Sequence, residues 1–429
     1  MKKTISLFLG FCIVSLSSIF TQSYTRYHIG SNTDSLTIAK GGICLMGGAS
    51  ENDEAMKWFL RKANGGDIVV LRTNGSDGYN SYLYTSLGIS INSVRTFVCN
   101  NRNASFDSSL LTAINQAEAI WFAGGDQSEY VSFWRNTPLD SLINLKVNRD
   151  NIAIGGTSAG MAILGSTYFS AQNGTVTSAV SLQNPYDAKV TVDTTRFLSL
   201  PFLSNIITDT HYDNPDRKGR HSVFIAKGIS QYGLDLKGIA CDEYTAACID
   251  TNGIVSIYGG YPTYDDNAYF IQPNCELVNY APEVFTSGLP FTWNHSGKAM
   301  KVYQVKGTNS GRNKFNLTNW KMGVGGVWRN WWVQNGVFFE SSSTPINCRN
   351  TTIDEKNIRK TTIYPNPFTN QISIESSIHF SKIELTDAAG RVILITEKQF
   401  LNTSNLKPGI YYLKIKEFQE LKIYKIIKI

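Results

Sequence analysis

The stretch Asn151–Gly165 reads NIAIGGTSAGMAILG: a short apolar run, a serine among small residues, and a second apolar run. Ile152-Ala153-Ile154 is too short for a helix and reads as a buried strand, while Ala159 to Leu164 is compatible with a helix. Between them, Gly156-Thr157-Ser158-Ala159-Gly160 fits the pattern GxSxG. On a strand–turn–helix this pattern is a nucleophile elbow. The glycines let the chain turn sharply, and the serine is raised to a helix N-terminus where backbone N–H groups and the dipole favour negative charge. A bare GxSxG is also an ordinary small-residue turn, so its surroundings decide.

Those surroundings repeat the same pattern. Ile43-Cys44-Leu45-Met46, Ile68-Val69-Val70-Leu71, Val94 to Cys99 and Ala119 to Ala123 are short apolar runs bounded by Gly, Asn or Asp, and each predicts a strand. Glu51 to Ala63 carries Ala55, Phe59 and Ala63 at helical spacing, and Asp107 to Ala119 carries Leu110, Leu111, Ile114 and Ala117. Strands without polar alternation, separated by helices, predict an α/β fold with a mostly parallel sheet flanked by helices and right-handed crossovers. Ligands of such sheets bind beyond the C-terminal ends of the strands. Three of those ends are glycine-rich: MGGAS (46–50), FAGGDQ (122–127) and IGGTSAG (154–160). Ordinary βα-turn chemistry also favours glycine there.

The chain of 429 residues has room for roughly two or three domains. Apolar residues make up 42% and charged residues 17%, the balance of an ordered globular protein. The net charge of +6 comes without a basic stripe interleaved with aromatics, so no nucleic-acid partner is expected. Lys2-Lys3, the apolar run Ile5 to Phe20 and Thr21-Gln22-Ser23 read as a cleaved signal peptide over 1–23. The run is short for a membrane span and is interrupted by serines. Beyond Cys12 there are Cys44, Cys99, Cys241, Cys248, Cys275 and Cys348, enough for three bridges in an oxidising compartment. Cys44 and Cys99, inside apolar runs, fit equally as small core residues. No CxxC or Cys/His cluster is present, and neither a metal site nor a cofactor is expected.

Residues 167–201 are polar and β-branched and read as an elaborated loop or small sheet. Residues 233–258 read as strand–turn–strand. The aromatic-rich part from Tyr280 to Phe339, with Trp293, Trp320, Trp328, Trp331 and Trp332, fits short strands, the tryptophans packing rather than binding substrate. After residue 340 a Ser-, Thr-, Asn-, Lys- and Arg-rich linker, 341–361, leads to a β-rich module over 362–429 with a turn at Ala389-Gly390. That module predicts a small sandwich.

A serine nucleophile needs a base. Of five histidines, His28 lies just after the leader and His379 in the C-terminal module. His211, in ITDTHYDNPDRKGRH, follows an apolar run. His221 fits the start of a helix, HSVFIAKG, and His295, in WNHSG, a turn. An acid that orients the base comes from another element. Glu243, in GIACDEYTAACID, ends an apolar strand and reads either as that acid or as a surface turn residue.

GGDQ, GGTSAG, DTH followed by spaced arginines, and DE-x-TA resemble, in this order, the cyanophycinases and related aspartyl dipeptidases. These are serine peptidases on a class I glutamine amidotransferase-like α/β fold. The resemblance runs over roughly residues 40–260, within a catalytic domain expected at 24–340 whose β- and aromatic-rich extension is 261–340. It implies Ser158 as nucleophile, His211 as general base and Glu243 as the orienting acid of an exopeptidase. It further implies oxyanion N–H groups from Gly125 and Ala159, and a substrate pocket with Asp126, Gln127, Asp209, Arg217 and Arg220. The family's motif His-aromatic-x-x-Arg-x-Arg-x-x-Arg is altered here: Pro215 stands at the first arginine, while Arg217 and Arg220 match the second and third. Met161 replaces the common Ala after the elbow. Arginines in a cleft bind carboxylates, so a peptide or polyamino-acid substrate with acidic groups is expected, between cyanophycin and other aspartyl peptides. A solvated, structural salt bridge is the alternative for Arg217 and Arg220. Two other functions stay open on this scaffold: a hydrolase of different peptide or ester specificity, and a non-catalytic surface binding protein. A homodimer is also kept open.

YPNP, DAAGRVI, LKPGIYYLKI and a lysine-bearing tail resemble a type IX secretion C-terminal sorting domain. This implies the type IX secretion machinery as partner and a secreted or cell-surface location. A carbohydrate-binding sandwich is the alternative, but no aromatic platform supports it.

Overall fold

The computed structural model describes residues 22–348, 362–375, 382–396, 398, 400–417 and 420–429. The expected leader lies outside them but for its last two residues, and so does the expected linker beyond residue 348. The chain divides into two compact units, one ending at Asn347 and one starting at Cys348.

Among the described residues, the larger sheet of the first unit has ten strands. In spatial order they are Tyr24–Gly30, Ser93–Cys99, Asp67–Arg72, Ala119–Phe122, Ala153–Thr157, Gly42–Met46, Ala246–Ile249, Ile254–Tyr258, Asn313–Asn316 and Gly323–Val324. The five from Ser93–Cys99 to Gly42–Met46 run parallel. They are the apolar runs of the sequence, and they are buried because helices cover them. Antiparallel strands extend the sheet on both flanks, so the parallel core sits within a mixed sheet.

The helices start and stop where local chemistry dictates. Asn52 caps Asp53–Lys62 by accepting the Ala55 N–H, with Asp53 and Glu54 in the first turn and Arg61 and Lys62 in the last. This helix buries Met56, Phe59 and Leu60 against Ile68, Val70 and Trp121 of the sheet. Each such side chain contributes about 1.5–3 kcal/mol. Pro138–Asp150 starts on the Thr137 cap with proline in its first turn. It ends at Asn151 in left-handed backbone, which turns the chain into the strand leading to Ser158.

A second sheet has six strands among the described residues: Val337–Ser342, Gly326–Gln334, Met300–Lys306, Asn267–Pro273, Lys237–Cys241 and Ile206–Asp209. Only the last two pair parallel. Helix Lys218–Tyr232 packs Val223, Phe224 and Ile225 into a core with Ile207, Tyr269, Trp293 and Trp331 of this half. Trp293 and Trp331 are fully buried and Trp320 and Trp328 nearly so, in packing roles. Strand Val337–Ser342 runs two residues into the expected linker.

The segment 233–258 departs from a simple strand–turn–strand. Lys237–Cys241 belongs to the second sheet, whereas Ala246–Ile249 and Ile254–Tyr258 form a hairpin in the first. Residues 242–245 therefore cross from one sheet to the other. Both strands are short apolar runs, and nothing in such a run encodes which sheet receives it. Residues 167–201 form a two-stranded ribbon, Tyr168–Phe169 with Val192–Asp193, and helix Ser178–Gln183 on a Thr177 cap.

Cys44, Cys99, Cys241 and Cys248 are free and buried, while Cys275 and Cys348 are each in a disulfide. The second unit is all β. A three-stranded sheet (Thr362–Tyr364, Gln371–Glu375, Phe400–Asn402) and a four-stranded sheet (Val392–Thr396, Ile383–Asp387, Gly409–Glu417, Glu420–Lys428) share one core. Ile372, Ile374 and Leu401 come from the first, Leu385, Leu413 and Ile426 from the second. The expected turn is built by Asp387, whose side chain accepts the N–H groups of Ala389 and Arg391, with Gly390 at φ 80°. Among the described residues no helix is long and apolar enough to cross a membrane.

Candidate active site

Ser158 follows strand Ala153–Thr157 at φ 52°, ψ −118° and opens the short helix Ala159–Ala162. This is strained backbone for a residue with a side chain. Its neighbours explain why it persists. A Cβ on Gly156 would lie 2.6 Å from the Gly160 carbonyl carbon, and one on Gly160 would lie 2.2 Å from the Phe122 oxygen. Both glycines are required for the elbow to fold against the next strand. The Ser158 N–H donates to the Met46 carbonyl at 3.1 Å.

His211 arrives from the second sheet. After strand Ile206–Asp209 the chain turns at His211, φ 46°, and the His211 N–H donates to the Gly47 carbonyl at 2.9 Å. The imidazole Nε2 lies 2.7 Å from Ser158 Oγ, and Nδ1 lies 2.6 Å from Glu243 Oε1. With the Nδ1 proton donated to the carboxylate, Nε2 is the acceptor that faces the serine hydroxyl.

Glu243 sits on the crossover between the sheets. Its N–H donates to Asp213 Oδ1 at 2.9 Å, and Asn214 Nδ2 donates to its Oε2 at 3.4 Å. The His211 hydrogen bond, helped by Asn214, holds the Glu243 carboxyl below its ordinary range. Asp213 and Asn214 were not singled out in the sequence; their signal is only their place directly after His211-Tyr212. Tyr212 is fully buried, with its hydroxyl 3.2 Å from His221 Nδ1. Burial pushes His221 down to about 4, and the structure places it inside the helix core, away from Ser158. His295 Nε2 lies 2.7 Å from the Ala281 carbonyl in a turn.

The remaining expected residues separate into two groups. Gly124 and Gly125 pass beside the serine; a Cβ on Gly124 would be 3.7 Å from Ser158 Cβ. A Cβ on Gly125 would meet the Tyr130 hydroxyl at 2.6 Å. Ala159 supplies the first N–H of the helix after the serine, where no carbonyl of the helix can accept it. Asp126 is exposed and caps helix Gln127–Trp134 by accepting the Ser128 N–H, and Gln127 is the helix's first residue. Arg217, half-buried, donates to the Thr210 carbonyl at 3.0 Å. Burial, reinforced by the Arg220 charge, pulls its guanidinium down to about 10.

Asp209 and Arg220 instead face each other. Arg220 Nε donates to Asp209 Oδ2 at 2.9 Å and Nη2 to Oδ1, and Nη1 reaches Thr175 and Val176. Both are buried. Burial alone would raise the Asp209 carboxyl, but the Arg220 charge outweighs it and holds it below the usual range. Arg220 is thus in a salt bridge, but a buried one rather than the solvated one of the alternative.

Residues 79–256 match the model of peptidase family S51, and residues 362–429 match the secretion system C-terminal sorting domain. The chain carries a family S51 peptidase domain. The S51 match includes Ser158, His211 and Glu243 and begins after strand Gly42–Met46. The chain is 25% identical to a cyanophycinase of Synechococcus elongatus over 228 residues, 51% of this chain and 66% of that protein. It thus spans just under two thirds of that relative. It is 23% identical to a cyanophycinase of Geminocystis herdmanii over 231 residues, 51% of this chain and 78% of that protein. A crystal structure of a peptidase from an acI-B1 Actinobacterium superposes with a TM-score of 0.40 at 15% identity, covering 54% of this chain and 91% of that one. The sorting domain marks the chain for type IX export to the cell surface or beyond.

Proposed function

We propose that the S51 domain is a serine exopeptidase that cleaves aspartyl or β-aspartyl, isopeptide-like bonds. The observation that carries this reading is the hydrogen-bonded line Ser158 Oγ–His211 Nε2–His211 Nδ1–Glu243 Oε1. Ser158 Oγ attacks the scissile carbonyl as His211 Nε2 takes its proton. Glu243, ionised and hydrogen-bonded to Nδ1, stabilises the imidazolium. The tetrahedral oxyanion is received by the N–H groups of Gly125 and Ala159, a contribution of about 10²–10³ in rate per donor. His211 then protonates the leaving amine, and a water attacks the acyl-enzyme by the same steps in reverse.

Arg217 is the cation we assign to a substrate carboxylate, since Arg220 is engaged with Asp209 and Pro215 stands at the first arginine of the family's motif. We place the rest of the substrate in a cavity of about 330 Å³ lined by Ser50, Glu51, Arg72 and Tyr79. The leader over 1–23 directs the chain to the inner membrane, upstream of type IX export.

The test is a panel of β-aspartyl dipeptides, acidic peptides, cyanophycin and aryl esters. Hydrolysis of the aspartyl bonds with Ser158→Ala at least about 10³-fold slower is the expected result. Full activity in Ser158→Ala would sink the assignment, and turnover of esters alone would move it to another hydrolase specificity.

A further inference from the structure

The turn Met46-Gly47-Gly48, at the end of strand Gly42–Met46, supplies none of the three aligned side chains, yet it touches the backbone of all three segments that carry them. The Met46 carbonyl accepts the Ser158 N–H at 3.1 Å, the Gly47 carbonyl the His211 N–H at 2.9 Å, and the Gly48 carbonyl the Tyr244 N–H, next to Glu243, at 3.1 Å. The Gly47 N–H donates in return to the Thr245 carbonyl at 2.9 Å. Three successive acceptors thus fix three segments that are far apart in the chain and come from two sheets.

The two glycines leave the space this requires. A Cβ on Gly47 would lie 2.0 Å from the Asp242 carbonyl oxygen. A Cβ on Gly48, at φ 122°, would lie 2.4 Å from His211 Nε2 and 2.5 Å from Cε1. The atom displaced at Gly48 is the one that must meet Ser158 Oγ. Ordinary contact lies near 3.5 Å, so the ring must retreat by about 1 Å, and the 2.7 Å link to the serine cannot survive that.

We infer that Met46–Gly48 is the positioning segment of the site, and that Gly48 is a positioning residue acting through His211. This rests on the serine-nucleophile reading above. A displacement of 1 Å in a reacting group costs about 10²-fold in rate.

The experiment is a double-mutant cycle on the full chain, reading the rate of Ser158 labelling by a fluorophosphonate and the thermal midpoint. Wild type should label and Ser158→Ala should not; an unlabelled wild type overturns the nucleophile reading and this inference with it. Gly48→Ala should label about 100-fold more slowly than wild type. In the His211→Ala background, where the ring is gone, adding Gly48→Ala should leave the residual labelling rate unchanged. The backbone penalty of alanine at φ 122° is common to both backgrounds and cancels in the cycle. Where Gly48→Ala alone fails to fold, a folded double variant supports the inference. A labelled wild type with Gly48→Ala within about threefold of it, or an unfolded double variant, overturns the inference alone.

Discussion

Asp209 and Arg220 flank His211 in a segment that reads as a substrate cleft, yet they are buried and bound to each other. The difference is burial, which sequence patterning does not carry: an arginine two or three residues into a helix can face solvent, cleft or core. The two readings separate by measurement. Arg220→Ala leaves the Asp209 carboxylate buried without its partner and should cost about 3–5 kcal/mol in urea unfolding. Arg220→Lys should recover little of it, because an ammonium cannot replace the two-pronged contact. Arg217→Ala should leave stability within about 1 kcal/mol and raise KM for an acidic substrate about ten- to hundredfold, the worth of one charge-assisted hydrogen bond. Ser158, His211 and Glu243, which the structure brings within hydrogen-bond distance of one another, could be picked out as candidates because their local motifs are short and their order is particular. Gly48 was visible only as one glycine in a glycine-rich strand end, since its reason, the ring of His211, comes from far along the chain.

At the scale of elements, the elbow is a packing problem solved by subtraction. Strand Ala119–Phe122 runs parallel to strand Ala153–Thr157, and the Phe122 carbonyl occupies the place a Gly160 side chain would need. Gly160→Ala should therefore destabilise the first unit by about 3 kcal/mol, because a backbone carbonyl in a sheet cannot move aside as a side chain can. Urea unfolding with an unchanged m-value checks this. The parallel strands were readable as apolar runs, and helix Asp53–Lys62 from its apolar spacing. The crossover at residues 242–245 was not, because Lys237–Cys241 and Ala246–Ile249 are both short apolar runs, and only their partners tell them apart. Helix Ser178–Gln183 lay hidden in a polar, β-branched segment where tertiary packing of Ser181 and Leu182 outweighs weak propensity.

At the scale of the molecule, each unit has a core of its own. A chain ended at residue 361 should keep kcat/KM on an aspartyl substrate within about twofold and melt at the same temperature, because every site residue lies in the first unit. Calorimetry of the full and shortened chains checks the second point. The site itself is less self-contained than either unit. Ser158 rides on one sheet and His211 on the other, and Glu243 is tethered to both by the crossover. The reactive line is therefore a mechanical gauge spanning a seam: slippage of one sheet past the other by a fraction of an ångström opens it before any strand is lost. On warming, activity should therefore be lost before the far-ultraviolet circular dichroism of the strands and return on cooling, and coincident loss of the two would count against this.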